Sequence, residues 1–196
     1  AESAVLLAPG LDQKALLMEI IKSKKCPLRS AAFSREDPED FRENNMMTAL
    51  DLCRFLGMDP SVSEKAMREI PPDMADFRVL SIGGAELAYA FSANDIHSTR
   101  DLFSSLQWSY DETIIIYNHR GDRPVRLKSY RDWILSNNWS SICITGDRPW
   151  SHWAWKYYRE CSDLGKLLSG FGEGEKVFGC GNVAGLPLKF ILERGS

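Results

Sequence analysis

The sequence lacks any long apolar run. No stretch approaches the roughly 18 consecutive apolar residues of a membrane-spanning helix, and no basic segment followed by an apolar one indicates a signal peptide. We therefore expect a cytoplasmic protein whose own residues neither cross a membrane nor direct secretion. Any association with a membrane would come through a partner.

An excess of positive charge is also missing. The 196 residues carry 24 Lys and Arg against 27 Asp and Glu, for a net charge of −3. A nucleic-acid-binding protein needs a basic surface to neutralise phosphates, so we expect no nucleic-acid partner. The length suffices for one domain with a buried core, or for one domain plus part of another.

Paired cysteines and metal-ligand spacings are absent too. The five cysteines are odd in number and none forms a Cys-x-x-Cys pair. Three lie in apolar runs, namely Cys53, Cys143 and Cys180. Buried reduced thiols are therefore favoured over a disulfide framework or a zinc site. The three histidines are scattered without ligand spacing, so we expect no metal held wholly by this chain.

A proline pair, Pro71-Pro72, divides the chain. Upstream, the patterns predict a short strand at 4–7, a helix over 12–24, a polar linker or surface loop over 26–42, and helices over 43–56 and 61–70. We predict that the last two helices form a hairpin that serves packing. Its expected inward side chains include Leu56, Val62 and Ile70.

Downstream of the prolines, strands alternate with helices. A Gly83-Gly84 pair between two apolar runs is typical of a tight hairpin. The predicted elements are strands at 77–82 and 85–91, a helix at 96–107, a strand at 112–117, a helix at 126–136, a strand at 141–145, an aromatic helix near 150–160, a strand at 176–179 and a helix at 186–192. This alternation predicts a three-layer α/β domain.

The first candidate functional segment is the loop Ser92-Ala93-Asn94-Asp95, between a predicted strand and a predicted helix. Loops after parallel strands, at helix N-termini, bind phosphorylated and anionic ligands in α/β sheets. Asp95 also suits the N-cap of the following helix. A turn and cap without a ligand is an equal alternative.

The second segment runs from Asn118 to Arg126 and contains Arg120, Asp122 and Arg123. Three guanidinium groups lie within seven positions directly after a predicted buried strand, and the planar fork of arginine suits carboxylates and phosphates. We favour an anion-binding loop over a solvated one in which Asp122 pairs locally.

The third segment, residues 179–185, is rich in glycine and approaches the spacing of a dinucleotide fingerprint. It follows the last predicted strand instead of opening a βαβ unit, so a dinucleotide site is not indicated. A close approach of the backbone at Gly181 and Asn182 to phosphate or to another domain is open, and so is a plain turn.

Aromatic side chains cluster over nine residues. Because no basic field accompanies them, core packing or a docking surface is favoured over stacking against nucleic acid. The cluster comprises Trp150, Trp153, Trp155, Tyr157 and Tyr158.

Three segments together resemble one known family. AFSANDIHST at 90–99, IIIYNHRGDR at 114–123 and FGCGNVAG at 178–185 are similar, in order and spacing, to the C-terminal domain of the capsule-type ligase subunit of poly-γ-glutamate synthase, the PgsB/CapB type. These proteins are relatives of the Mur ligases. Residues 41–60 resemble the helical hairpin that ends the central ATPase domain of such ligases.

One feature of that family is missing. Such ligases carry a Gly-x-x-x-x-Gly-Lys-Ser/Thr phosphate loop in the central domain, and these 196 residues contain none. The resemblance implies that residues 1–72 are the end of the central ATPase domain. It implies that residues 73–196 form a Rossmann-like C-terminal domain of Mur ligase type. We expect this chain alone to be inactive.

The resemblance implies ATP-dependent amide formation, in which ATP phosphorylates a polyglutamate carboxylate and a glutamate amine attacks the acyl phosphate. This domain would act as a closing lid, with ATP and Mg²⁺ held mainly by the central domain. Asn94, Asp95 and Ser98 would lie near the nucleotide. The residues expected to meet substrate or phosphate are Arg120, Asp122, Arg123, Arg126, Gly181 and Asn182.

The implied partners are the central ATPase domain or its other fragment, membrane subunits of a polyglutamate synthase complex, and glutamate with polyglutamate. A homo-oligomer is also open. Through such subunits the protein would lie peripherally at the inner face of the cell membrane. Two alternative functions stay open: a non-catalytic α/β nucleotide-binding or subunit-docking module, and another Mur-type or folylpolyglutamate-type ligase.

Overall fold

The computed structural model of the protein describes residues 5–7, 14–24, 28–30, 41–71 and 73–194. The chain divides into two compact units, Ala1–Pro71 and Pro72–Ser196. That division falls at the proline pair. The origin of the first unit, as the end of a central ATPase domain, stays a prediction.

In the first unit, strand β1 (Val5–Leu7) pairs in parallel with strand β2 (Leu28–Ser30), and helix α1 (Lys14–Ser23) connects them. The prediction of a linker or surface loop over 26–42 is therefore wrong at β2. Parallel strands need a crossover connection between them, which α1 supplies, and β2 provides the hydrogen-bonding partner of β1. Residues 31–40 lie outside the described part of the chain.

Helices α2 (Phe41–Phe55) and α3 (Pro60–Glu69) form the predicted helical hairpin. The carboxylate of Asp59 caps α3 by accepting hydrogen bonds from the amides of Ser61 and Val62 at 2.8 and 3.1 Å. The predicted inward face is wrong at three positions. Leu56, Val62 and Ile70 are 64%, 68% and 68% exposed, because two short helices bury only the side chains between them.

The second unit contains a five-stranded sheet. Its strands are β3 (Arg78–Ile82), β4 (Ala85–Tyr89), β5 (Thr113–His119), β6 (Ser141–Gly146) and β7 (Lys176–Gly181), in the spatial order β3-β4-β7-β5-β6. Gly83 and Gly84 have φ angles of 60° and 96° and form the tight turn of the antiparallel pair β3-β4. The pairs β4-β7, β7-β5 and β5-β6 are all parallel.

Helices cover both faces of this sheet. Along β5, Ile115 and Tyr117 join one apolar cluster with α4 (Ile96–Ser105), α5 (Pro124–Ser136) and α6 (His152–Trp155). Ile114 and Ile116 join a second cluster with α7 (Leu164–Leu168) and α8 (Leu186–Arg194). Since side chains alternate along a strand, β5 supplies both clusters. The predicted three-layer α/β fold is confirmed.

The aromatic helix predicted near 150–160 is wrong beyond its first turn. Helix α6 ends at Trp155, and the following backbone pairs with the edge of β6 instead. The amide of Ile144 donates to the carbonyl of Tyr157 at 2.9 Å, and the amide of Arg159 donates to the carbonyl of Ile144 at 2.8 Å. An open sheet edge thus outweighs the helical pattern here. Helix α7 was not predicted at all.

The cysteine prediction holds at two of the three named positions. Cys143 and Cys180 are buried, whereas Cys53 is only partly buried. Burial raises the pKa of Cys143 to about 11 and also raises that of Cys180, so both thiols stay protonated and unreactive at neutral pH.

Within the described residues, no helix is both long and apolar enough to cross a lipid bilayer. The same part of the chain contains no group of three or more His, Cys, Asp or Glu side chains arranged to hold a metal ion.

The close contact between Gly179 and Phe91 yields a stability prediction. A Cβ added at Gly179 would overlap the ring of Phe91, which is 1% exposed. We expect Gly179→Ala to lower the free energy of unfolding by about 1–3 kcal/mol, as overpacking does in cores. Urea denaturation measures the effect. The control is Gly172→Ala, whose Cβ would lie 3.6 Å from Glu175, and equal losses in both variants would contradict the prediction.

Candidate functional site

Four strand ends meet at one edge of the sheet. Because β4, β7, β5 and β6 are mutually parallel, their carboxyl ends point the same way. The first predicted functional segment follows β4, and the second and third begin in the last residues of β5 and β7. All three therefore lie at this edge, together with the loop after β6. Ligands of open α/β sheets bind at this position. We call it the carboxyl edge.

Arg126 joins two of these loops. It lies in the first turn of α5, where one terminal nitrogen donates to the carbonyl of Gly181 at 2.9 Å and to Oδ1 of Asn182 at 2.8 Å. Its other terminal nitrogen donates to the carbonyl of Asn94. The guanidinium group thus holds the β4–α4 loop against the β7–α8 loop. Arg126 therefore links the segment predicted to lie near the nucleotide to the segment predicted to lie near phosphate.

Asn118 makes a second connection, from β5 to the loop after β7. Its Nδ2 donates to the carbonyls of Asn182 and Ala184 at 2.7 and 2.9 Å. Two amide hydrogen bonds to carbonyls two residues apart fix the backbone around Asn182. The glycine-rich segment is therefore held from both β5 and α5.

Asp95 and Ser98 bind each other. The carboxylate of Asp95 caps α4 by accepting from the amide of Ser98 at 2.9 Å and from its Oγ at 2.8 Å. Burial opposes ionisation of Asp95, but the hydrogen bonds from Ser98 and His97 outweigh it and hold the pKa of Asp95 below its usual value. The cap that was one of the two interpretations of this loop is present. A nucleotide role for Asp95 and Ser98 stays a prediction.

The loop between β5 and α5, residues 120–123, contains two arginines whose contacts differ, and we call it the arginine loop. Nε and a terminal nitrogen of Arg120 donate to the two carboxylate oxygens of Asp122 at 3.0 and 2.6 Å, and Arg120 lowers the pKa of Asp122. That is the local pairing considered as an alternative. Arg123 is exposed, and its side chain forms no hydrogen bond or salt bridge with a described residue, although its charge also helps to lower the pKa of Asp122. It is the cation of this loop most available to a ligand.

Asp147 is a site residue that sequence reasoning missed. It follows β6, its Oδ2 accepts from the amide of Gly121 at 2.7 Å, and its own amide donates to the carbonyl of His119 at 3.0 Å. The preceding Gly146 has φ +83°, and a Cβ there would lie 2.7 Å from Oδ1 of Asn118. The signal was available: Gly-Asp follows a predicted buried strand, as the other segments do.

Buried polar atoms without partners concentrate at this edge. Side chains whose buried atom has no hydrogen-bond partner among the described residues are Tyr117, Asn118, His119, Thr145 and Asn182, with Trp139 elsewhere. Such groups are rare in folded proteins and each costs about 1–3 kcal/mol, so their concentration makes this edge a candidate functional region. Burial lowers the pKa of His119, against the opposing charges of Asp147 and Asp122, which favours a neutral imidazole.

Most of the second unit matches a known protein family. Residues 79–194 match the family described as poly-γ-glutamate synthase CapB C-terminal domain. The chain belongs to this family. The matched range includes all three segments that carried the resemblance, which is therefore confirmed. Within this CapB C-terminal domain, the carboxyl edge contains every predicted site residue.

A curated relative agrees with that assignment. The chain is 31% identical to the PGA synthase CapB of Bacillus subtilis strain 168 over 99 residues, covering 47% of this chain and 25% of the relative. The chain thus spans only a small part of the relative's length.

Solved structures show the same fold at low identity. A UDP-N-acetylmuramoylalanyl-D-glutamyl-2,6-diaminopimelate–D-alanyl-D-alanyl ligase from Acinetobacter baumannii matches with a TM-score of 0.53 and 11% identity, over 99% of this chain and 51% of that one. A folylpolyglutamate synthase from Thermotoga maritima matches with a TM-score of 0.49 and 12% identity, over 93% of this chain and 52% of that one. The first of these likenesses supports the fold of the CapB C-terminal domain.

Capping by Asp95 predicts a pH dependence of stability. A carboxylate whose pKa is lowered by folding stabilises the protein above its unfolded pKa of about 4, and this stabilisation is lost as pH falls through the lower folded pKa. We expect Asp95→Asn to lower the free energy of unfolding by about 0.5–1 kcal/mol at pH 7, and by progressively less as the pH falls below about 4. Urea denaturation across pH tests this. Asp101→Asn, exposed on the same helix, is the control, and a pH-independent difference would contradict the prediction.

The hydrogen bonds of Arg126 predict that substitutions of Arg126 and Arg123 will have different effects on stability. Arg126→Ala removes charged hydrogen bonds and should lower the free energy of unfolding by about 1.5–3 kcal/mol. Amide hydrogen exchange should accelerate at residues 92–95 and 182–185. Arg123→Ala should change stability by no more than about 0.5 kcal/mol. An Arg126→Ala protein with unchanged stability and exchange would contradict the assignment.

Proposed function

We propose that this chain is the C-terminal portion of an ATP-dependent ligase that extends poly-γ-glutamate, and that it supplies the lid domain. The carboxylate of the growing chain takes the γ-phosphoryl group of ATP and releases ADP. The amine of a glutamate then attacks the acyl carbon, the amide forms and phosphate leaves. Membership in the CapB C-terminal domain family supports this assignment.

The main observation behind the proposal is that Arg123 is exposed at a carboxyl edge whose loops are held in place by hydrogen bonds. Phosphoryl and acyl-phosphate chemistry depends largely on positioning and on neutralising negative charge. Arg123 presents a charge that no described residue compensates by a salt bridge, while Arg126 and Asn118 hold the surrounding loops. No nucleophile or general base is required of this domain.

The remaining roles follow the position of each residue. Asn94 lies at the end of the β4 loop and would approach the nucleotide, with Asp95 and Ser98 orienting that loop. Arg120 and Asp122, as a pair, would face a glutamate carboxylate or amine. Gly181 and Asn182 would present a fixed backbone turn beside the phosphates. Mg²⁺ would be held mainly by the central domain.

A docking module is the second candidate function, and one observation favours it. Trp150 is 91% exposed, although large aromatic side chains are usually buried. A role in contacting another subunit, including membrane subunits or a second copy, would explain that exposure without catalysis. Another Mur-type or folylpolyglutamate-type ligase is a third candidate, and likeness of fold does not separate it from the first.

Reconstitution tests the proposed function. The 196-residue chain alone should show no glutamate-dependent ATP hydrolysis, because it has no phosphate loop to hold the β- and γ-phosphates. Adding a separately produced central domain that carries the phosphate loop should produce hydrolysis coupled to amide formation. Turnover by the purified chain alone would contradict the lid assignment, and association without any ligation would favour the docking module.

In the reconstituted enzyme, Arg123→Ala should reduce kcat/KM for glutamate about thirty-fold to several hundred-fold, which corresponds to a loss of about 2–4 kcal/mol. Lys166→Ala, an exposed cation on α7, is the matched control and should leave the kinetics unchanged. Near-normal kinetics in Arg123→Ala would remove Arg123 from the site.

A further inference from the structure

A groove of about 570 Å³ lies beside the carboxyl edge, between α5 and the segment that follows β6. Its walls are formed by His119, Pro124, Leu127, Lys128, Arg131, Trp150, Ser151, His152 and Trp153. Of these residues, only His119 and Pro124 belong to the segments described above. We call this feature the α5 groove.

One face of α5 lines the groove, with apolar side chains near the start of the helix and basic side chains farther along. Pro124, Leu127, Lys128 and Arg131 have the spacing i, i+3, i+4 and i+7, which places them on the same side of a helix. Lys128 and Arg131 are exposed, and neither forms a salt bridge with a described residue. The two cations are about 4.5 Å apart along the helix axis.

The opposite wall is aromatic. Trp150 is 91% exposed, and Trp153 is partly buried against the core beneath it. An indole ring offers a flat apolar surface to aliphatic groups and also attracts polar atoms at its edge. A ligand in the α5 groove would therefore contact apolar surface on one side and positive charge on the other.

The remaining wall groups do not oppose this positive charge. The residues that line the α5 groove include no carboxylate. His119 is 2% exposed, and its Nδ1 has no hydrogen-bond partner within the described part of the chain. The charge of the groove is thus positive, with a histidine at the end nearest the carboxyl edge.

We propose that the α5 groove binds the growing γ-linked glutamate chain behind its reacting end. This polymer carries a carboxylate on every unit, and its backbone contains aliphatic methylene groups. The carboxylates would pair with Lys128 and Arg131 while the methylenes pack against the exposed indole of Trp150. The inference rests on the proposed function, because that function supplies the polymer.

Continuity with the carboxyl edge supports this occupant. His119 ends β5, the arginine loop follows at residues 120–123, and Pro124 begins α5. A chain whose end reacts near Arg123 could therefore extend along α5 past Lys128 and Arg131. A single glutamate has too few carboxylates to contact both cations and the carboxyl edge together, so the groove selects a polymer.

Isothermal titration calorimetry of the 196-residue chain tests the inference directly. A γ-linked glutamate decamer should bind, with an affinity that falls as salt concentration rises. Lys128→Ala/Arg131→Ala should weaken binding about tenfold, since two exposed ion pairs are lost. Trp150→Ala should weaken it as well, while Lys166→Ala should not.

Two comparison ligands identify what the groove recognises. Free glutamate at the same carboxylate concentration should bind far more weakly than the decamer. Inorganic polyphosphate has charge but no aliphatic backbone, so Trp150→Ala should not affect its binding. No decamer binding, or decamer binding unaltered in all three groove substitutions, would overturn the proposal. Equal sensitivity of polyphosphate to Trp150→Ala would overturn the assigned role of the indole.

The reconstituted enzyme separates this inference from the proposed function. Lys128→Ala/Arg131→Ala should raise KM for a long acceptor by a larger factor than KM for a diglutamate acceptor. Equal effects on both acceptors would overturn the groove assignment while the ligase function stands. Absence of ligation by the unmodified reconstituted protein would contradict the function, and the calorimetric result would then decide polymer binding by itself.

Discussion

The arrangement of the site depends on the complete burial of β5 between two parallel neighbours. All seven residues of this strand are buried, and it pairs with β7 on one side and β6 on the other. Parallel pairing aligns the carboxyl ends, so loops that are distant in the sequence meet at one edge. Substitutions that disturb β5 would therefore displace every proposed ligand-binding residue at once.

Hydrogen bonds from polar side chains fix the positions of the loops at this edge. Arg126 connects the loops after β4 and β7, and Asn118 ties β5 to the same glycine-rich turn. These groups are largely occupied by backbone carbonyls. Their chemistry resembles that of anion-binding residues, yet their contacts are structural. The charge left for a ligand belongs mainly to Arg123, whose side chain is exposed.

Near the carboxyl edge, some aromatic side chains pack in the core and another is exposed to solvent. Trp153 and Tyr157 pack against the core, whereas Trp150 projects into solvent above the α5 groove. Trp150 precedes α6, and the chain leaves that helix after Trp155 to pair with β6. One aromatic cluster in the sequence thus contributes both to the core and to a candidate binding surface.

The sequence by itself determined the alternation of strands and helices, the Gly83-Gly84 hairpin and the three loops that carry the family resemblance. Each depends on local periodicity, turn chemistry or motif order, which a linear chain displays. Tertiary structure alone decided that Arg126 links two loops, that Asp147 accepts a hydrogen bond from the amide of Gly121 and that the segment after Trp155 leaves the helix. Those outcomes depend on which carbonyls and strand edges lie within hydrogen-bonding distance, and that is set only when separate elements pack together.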